Sequence, residues 1–198
     1  MNCLKVYITP SKEPNMSFST DPVLPIPEMA ENLAHYALDR ERVLFALSRV
    51  PKTDSIDPVR VEYEIHILQI LSVGWSISYY MEAHSDKTAL VENFWNLLFE
   101  FSQNISSVTS LSIGKEINYF QVLKERMDTY LMALSGLSGP TDPASVIGPA
   151  FAQICETRGN VHVIMAGTRI FSLAVEGVKA YLDSVLHAAA HDGVRGNA

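Results

Sequence analysis

Apolar side chains recur along most of the chain at the three- and four-residue spacing of an α-helix. The clearest example is the stripe Leu90, Phe94, Leu97, Leu98, Phe101 and Ile105. A stripe with this period covers one face of a helix and leaves the opposite face polar. The pattern and its interruptions predict about six helices, near residues 27–50, 58–83, 86–105, 116–134, 143–158 and 161–190.

Short polar segments containing proline or glycine separate these stretches. Asp57-Pro58 and Asp142-Pro143 each combine a capping carboxylate with a proline, which the first turn of a helix tolerates. Pro149 removes a backbone donor, so it should kink the fifth helix or lie in a first turn. We therefore predict an all-α, single-domain bundle of about six helices at residues 26–190. An extended or flexible arm at residues 1–25 precedes it, and a flexible tail at residues 191–198 follows.

The second, fifth and sixth predicted helices carry few charges. Residues 146–155 contain no charged side chain, and residues 161–175 contain only Arg169. Helices of this kind are expected at the centre of a bundle, surrounded by amphipathic ones. The same pattern predicts a set of largely buried residues: Leu68, Trp75, Leu97, Phe101, Leu123, Ile154, Ile164, Phe171 and Val175.

Composition narrows the classes of partner and compartment. The chain has 22 acidic and 15 basic residues and a net charge of -7, and its basic residues form no block that would neutralise phosphates, so we expect no nucleic acid partner. Its longest uncharged run, residues 65–81, is too short and too polar for a bilayer, so we expect no membrane partner. Two distant cysteines and the lack of a secretory leader predict a cytoplasmic protein.

Familiar catalytic and cofactor motifs are absent from the sequence. It contains no phosphate-binding GxxxxGK[ST] loop, no GxGxxG, no HExxH, no GxSxG and no CxxC pair. We therefore predict no cofactor and no catalytic residue, and the sequence favours a non-catalytic protein. A catalytic site assembled from distant residues remains compatible with this pattern.

Two pairs of residues have a spacing suited to metal ligation. Glu31 and His35 lie one helical turn apart on the first predicted helix, and Glu62 and His66 repeat the arrangement on the second. Carboxylate and imidazole groups at this spacing can reach one ion. These four residues are the metal-site hypothesis, weighed against the simpler interpretation that they form partly exposed polar faces.

A second hypothesis places a ligand pocket among aromatic side chains. Trp75, Tyr79 and Trp95 would supply its apolar walls, and Arg169 would hold an anionic group. Alternatively, Arg169 forms an ion pair that fixes the packing of two helices. Its predicted partner is then one of Glu62, Glu64 and Glu100.

These observations give three function hypotheses. The first is a cytoplasmic, non-catalytic interaction module that forms a homodimer through the third and sixth helices, because adjacent aromatic residues such as Phe94-Trp95 must be covered on two sides. The second is a sensor or carrier that binds an apolar or anionic small molecule. The third is a metal-dependent helical enzyme.

Overall fold

The computed structural model describes residues 24–113, 118–136 and 142–192, and it contains helices but no strand within those ranges. The all-α prediction is confirmed. Nearly all of the predicted arm, and the tail after residue 192, lie outside the described residues. The helices are α1 (Ile26–Ala37), α2 (Arg40–Leu47), α3 (Pro58–Tyr80), α4 (Lys87–Ile113), α5 (Tyr119–Ser135), α6 (Ala144–Ile154) and α7 (Val161–Asp192).

The predicted first helix is two helices in the structure. Asp39 interrupts it, because its carboxylate accepts a hydrogen bond from the backbone N–H of Glu41 at 2.9 Å and caps α2. An aspartate that caps a new helix competes with continuation of the old one. The chain therefore turns between Ala37 and Arg40. Leu38 and Arg40 in and beside this turn form one wall of a cavity.

The predicted capping carboxylates Asp57 and Asp142 are both observed, and Asp142 accepts a hydrogen bond from the N–H of Ala144 at 3.0 Å. Asp57 accepts hydrogen bonds from the N–H groups of Val59 and Arg60 at the start of α3. Asn118, which the sequence analysis did not name, caps α5 by accepting a hydrogen bond from the N–H of Gln121. Pro149 lies inside α6 instead of in its first turn. Capping residues thus set most helix starts within a few residues of the predicted positions.

Helices α3, α6 and α7, which were predicted to be central, pack against one another. At the contact of α6 and α7 the backbones approach closely at Gly148, where an added Cβ would lie 2.2 Å from Thr168 Oγ1 and 2.7 Å from the backbone oxygen of Ile164. Only glycine fits there without movement. The charge-poor sequences of these helices are therefore explained by burial within the chain.

The predicted core is confirmed for three residues and wrong for one. Leu68, Leu123 and Phe171 are buried, whereas Phe101 is 43% exposed. Phe101 was predicted from its place in the apolar stripe of α4, but that part of the stripe faces a cavity that opens to solvent. The remaining predicted core residues are half-buried: Trp75, Leu97, Ile154, Ile164 and Val175.

A buried ion pair joins α3 to α5. Both carboxylate oxygens of Glu64 accept hydrogen bonds from the Arg126 guanidinium, at 2.8 and 2.7 Å. The Glu64 side chain is 5% exposed and that of Arg126 is 28% exposed. The prediction that Arg169 pairs with Glu62, Glu64 or Glu100 is therefore wrong: Glu64 binds Arg126, Glu62 binds Arg40, and no carboxylate of the described residues lies within 4 Å of the Arg169 guanidinium.

One segment of α7, Val161–Leu186, is long and apolar enough to cross a membrane, with a mean hydropathy of 1.4. Such a segment is weak evidence for a membrane span, because the core helix of a water-soluble bundle has the same length and composition. Here α7 packs against α2, α3 and α6. About 39% of the apolar window is buried against these helices, whereas Val161 and Met165 are exposed.

Candidate ligand-binding site

A cavity of about 370 Å³ lies between α3, α4 and α5, next to the turn that joins α1 to α2. We call it the α3–α5 cavity. Its volume falls in the range of sites that bind small molecules. It opens to solvent beside Arg40, Tyr63 and Phe101, which are exposed. The lining residues are Leu38, Arg40, Tyr63, His66, Ile67, Ile70, Leu98, Phe101, Ser102, Tyr119 and Leu123.

Helical periodicity explains why these residues meet. On α3 the lining side chains Tyr63, His66, Ile67 and Ile70 follow one another at spacings of three, one and three residues, which places them on one face. Tyr119 and Leu123 are one turn apart on α5. On α4 the lining residues Leu98, Phe101 and Ser102 lie three and four residues apart, so they also share one face. Three helices thus each contribute one stripe to the cavity.

The polar groups of the cavity gather on the side formed by α3 and the start of α2. Arg40 donates a hydrogen bond to Glu62 at 3.1 Å, in a pair whose side chains are 69% and 40% exposed. His66 is one turn after Glu62 and is half-buried. Burial lowers the pKa of His66, and the nearby Glu62 carboxylate opposes this shift only in part. The imidazole is therefore neutral near pH 7 and can both donate and accept a hydrogen bond.

Two tyrosines stand at the end of the cavity nearest the start of α5. The rings of Tyr63 and Tyr119 are 6.5 Å apart between centroids and tilted by 55°. Burial raises the pKa of Tyr63, so its phenol stays protonated and can donate a hydrogen bond. These rings add both apolar surface and a polar edge to the cavity.

A buried glutamine holds the wall contributed by the α1–α2 turn. The Gln69 side-chain N–H₂ group donates to the backbone oxygens of Tyr36 at 2.9 Å and Asp39 at 3.1 Å. Gln69 is 1% exposed, and its side-chain oxygen has no hydrogen-bond partner among the described residues. A buried oxygen without a hydrogen-bond partner destabilises the folded state, so other contacts of Gln69 must offset this free energy. Through these two hydrogen bonds, Gln69 holds the turn that carries Leu38 and Arg40 against α3.

The aromatic residues predicted to line a pocket are packed differently. The Trp75 ring stacks on Tyr79, with centroids 5.0 Å apart and planes 16° apart, and it also contacts Phe171 at 5.5 Å. Trp95 packs against Gly74, where an added Cβ would lie 2.5 Å from the indole. The space beside Trp75 measures about 30 Å³, which suits a single water molecule.

Arg169, the fourth predicted ligand residue, lies elsewhere. Its guanidinium is 5.5 Å from the centroid of the Phe45 ring, and it lines a recess between α2 and α7. The structure therefore does not assign Arg169 to the same space as Trp75.

The structure does not bring the four predicted metal ligands together. Glu31 and His35 are exposed on α1, and Glu62 is paired with Arg40. No group of three or more histidine, cysteine, aspartate or glutamate side chains is placed to hold a metal ion within the described ranges. Only His66 of the predicted set lines the α3–α5 cavity.

Sequence reasoning missed most of the cavity. It named His66 for metal binding and Phe101 for the core, but it did not single out Tyr63, Tyr119 or Arg40 as site residues. A usable signal existed, since α3 presents Tyr63 and His66 on one helical face together with the apolar Ile67 and Ile70. Nothing in one sequence shows that α4 and α5 leave space opposite that face.

Comparison with protein-family models, curated proteins and solved structures returned no match. The function must therefore be argued from the site itself.

Proposed function

We propose that the protein binds a small, largely apolar molecule in the α3–α5 cavity and acts as a sensor or carrier. The observation that carries this proposal is the cavity itself, which offers about 370 Å³ of mainly apolar space between three helices. Apolar walls with a few polar groups at one side are typical of ligand sites.

The apolar walls account for affinity. Ile67, Leu98 and Leu123 are almost fully buried, and Ile70 is half-buried beside them. A ligand that displaces water from these side chains gains about 25 cal/mol for each Å² of apolar surface removed from water. The cavity therefore favours a molecule with a continuous apolar body.

The charges at the mouth account for selectivity. Arg40 is already neutralised by Glu62, so an anionic ligand would compete with a carboxylate of the chain. His66 adds no charge near neutral pH because burial lowers its pKa. We infer that the preferred ligand is uncharged and carries one hydrogen-bonding group that meets His66 or a tyrosine.

A fluorescent probe tests the proposal. N-phenyl-1-naphthylamine is neutral and apolar, carries one N–H donor and brightens in apolar surroundings. We expect saturable binding to the protein and its loss in Ile70→Trp, in which an indole fills part of the cavity. Met132→Trp is the matched control, because Met132 is 75% exposed on α5 and does not line the cavity.

Circular dichroism of both variants confirms that they are folded before titration. Equal affinity in Ile70→Trp and Met132→Trp would place the probe outside the cavity. The absence of saturable binding to the unchanged protein would overturn the proposal.

We propose homodimer formation as a second function, supported by a different observation. Leu131 and Met132 on α5 are 45% and 75% exposed, and Phe99 on α4 is 44% exposed. Exposed apolar side chains of this kind are often buried in the interface with a second copy of the same chain. Light scattering should then give twice the 22.0 kDa mass of the chain, and Met132→Glu should return the chain mass. A 22.0 kDa species at all micromolar concentrations would exclude the dimer.

A further inference from the structure

A second recess, of about 210 Å³, lies between α2 and the start of α7, and its lining differs from that of the α3–α5 cavity. We call it the α2–α7 recess. Arg49 and Arg169 line it together with His162. Its remaining lining residues are Ala46, Met165 and Ala166, so its walls are apolar and its polar groups are all basic.

The two arginines have no counter-charge within the described residues. Among the residues that the structure describes, no carboxylate lies within 4 Å of either guanidinium, whereas the side chains of Arg40, Arg42, Arg60 and Arg126 are all paired. The contrast is notable because the chain is acidic, with a net charge of -7, so carboxylates are plentiful elsewhere. Arg49 is exposed, whereas Arg169 is half-buried and loses part of its hydration without gaining a charged partner, which is unfavourable.

Arg169 in particular is held in place. It is half-buried, and its guanidinium lies over the Phe45 ring at 5.5 Å from the centroid. Stacking on an aromatic ring orients the planar group without using its N–H donors. Those donors remain available to a ligand.

We propose that the α2–α7 recess binds an oxyanion, a phosphate or carboxylate group on a small apolar body, between Arg49 and Arg169. The fork of N–H donors on each arginine matches the paired oxygens of these groups. The apolar body lies against Ala46, Met165 and Ala166. This site is independent of the α3–α5 cavity, so either proposal can fail without the other.

Three probes built on the same phenyl ring test the chemistry. Phenyl phosphate, benzoate and phenol share an aromatic ring, and only the first two carry an oxyanion. We expect calorimetry or amide chemical shifts at Ala46 and Ala166 to show binding of one or both anions and none of phenol. A preference for phenyl phosphate identifies a phosphate ligand, and a preference for benzoate identifies a carboxylate ligand.

Charge-removing variants locate the site. Arg49→Gln and Arg169→Gln should each weaken binding by about tenfold or more, the loss expected for a charge-assisted hydrogen bond. Arg158→Gln removes the same charge from a different surface, where Arg158 donates to Gln153, and should change affinity by less than about twofold. Thermal unfolding of each variant confirms that the fold is retained.

Three results would overturn the proposal. The first is the absence of binding by both anions. The second is equal binding of phenol, which would show that the oxyanion contributes nothing. The third is an equal loss of affinity in Arg158→Gln, which would show a response to net charge alone.

Discussion

Replacing Arg126, the partner of Glu64 on α3, by methionine should destabilise the protein much more than breaking the exposed ion pair of Glu62 on α3. The Glu64 carboxylate is 5% exposed and accepts both of its hydrogen bonds from Arg126. Arg126→Met removes both donors and leaves an uncompensated charge inside the bundle. Breaking a buried pair from one side costs about 3–5 kcal/mol. Because Arg126 itself is 28% exposed, water can reach part of the site, and we expect about 3 kcal/mol.

The matched control is Arg40→Met, which removes the partner of Glu62 two residues earlier on α3. That pair is 69% and 40% exposed, so its loss should cost about 0–1 kcal/mol. Urea denaturation followed by circular dichroism measures both free energies of unfolding. In thermal unfolding the Arg126→Met change corresponds to a lower Tm by about 6–12 °C for a chain of this length.

A double variant separates a buried charge from lost packing. Glu64→Leu combined with Arg126→Met removes both charges and keeps side chains of similar length, so it should recover most of the stability. The reasoning is refuted if Arg126→Met and Arg40→Met lower the free energy of unfolding equally. It is also refuted if the double variant is as unstable as Arg126→Met.

Three further predictions follow from single residues. Gly148→Ala should lower the free energy of unfolding by about 1–3 kcal/mol because its Cβ would meet Thr168, whereas Gly136→Ala, whose Cβ would make ordinary contacts, should be nearly neutral by the same denaturation assay. Burial raises the pKa of Cys155 to about 12, so a disulfide reagent should label it slowly at pH 8 in the folded protein and quickly in urea; equal rates would contradict this. Burial lowers the pKa of His66 below its ordinary 6.5, so the unfolded chain binds the proton more readily and stability is lost as pH falls through 6.5. His66→Phe should reduce that loss in urea titrations at successive pH values, and an unchanged pH profile would contradict it.

The helices were largely predictable because several of them begin with a local capping signal. Asp57 and Asp142 bind backbone N–H groups only two or three residues away at the starts of α3 and α6, and such contacts are readable from a short stretch of sequence. Asp39 carried the same signal, and overlooking it merged α1 with α2. Charge-poor α3, α6 and α7 were recognised as central because burial excludes unpaired charge.

The candidate sites were much less predictable because they depend on how distant segments meet. Glu64 and Arg126 are 62 residues apart in sequence, and nothing local indicates that Arg126 is the partner of Glu64. Phe101 follows the apolar period of α4 and yet stands beside a cavity, because periodicity gives the direction of a side chain but not what lies opposite. The same limit explains why Trp75 was expected to face a pocket and instead stacks on Tyr79.

The central claim is that a ligand occupies the α3–α5 cavity, and methyl-resolved NMR tests it most directly. Protein labelled with ¹³C at the δ1 methyl groups of isoleucine is titrated with N-phenyl-1-naphthylamine, and nuclear Overhauser effects between probe and methyl groups are recorded. Ile67 and Ile70 line the cavity, whereas Ile77, Ile147 and Ile170 are buried away from it. We predict Overhauser effects to Ile67 and Ile70 and none to the other three. Effects confined to Ile77, Ile147 or Ile170, or no effect on any of the five methyl groups, would contradict the account.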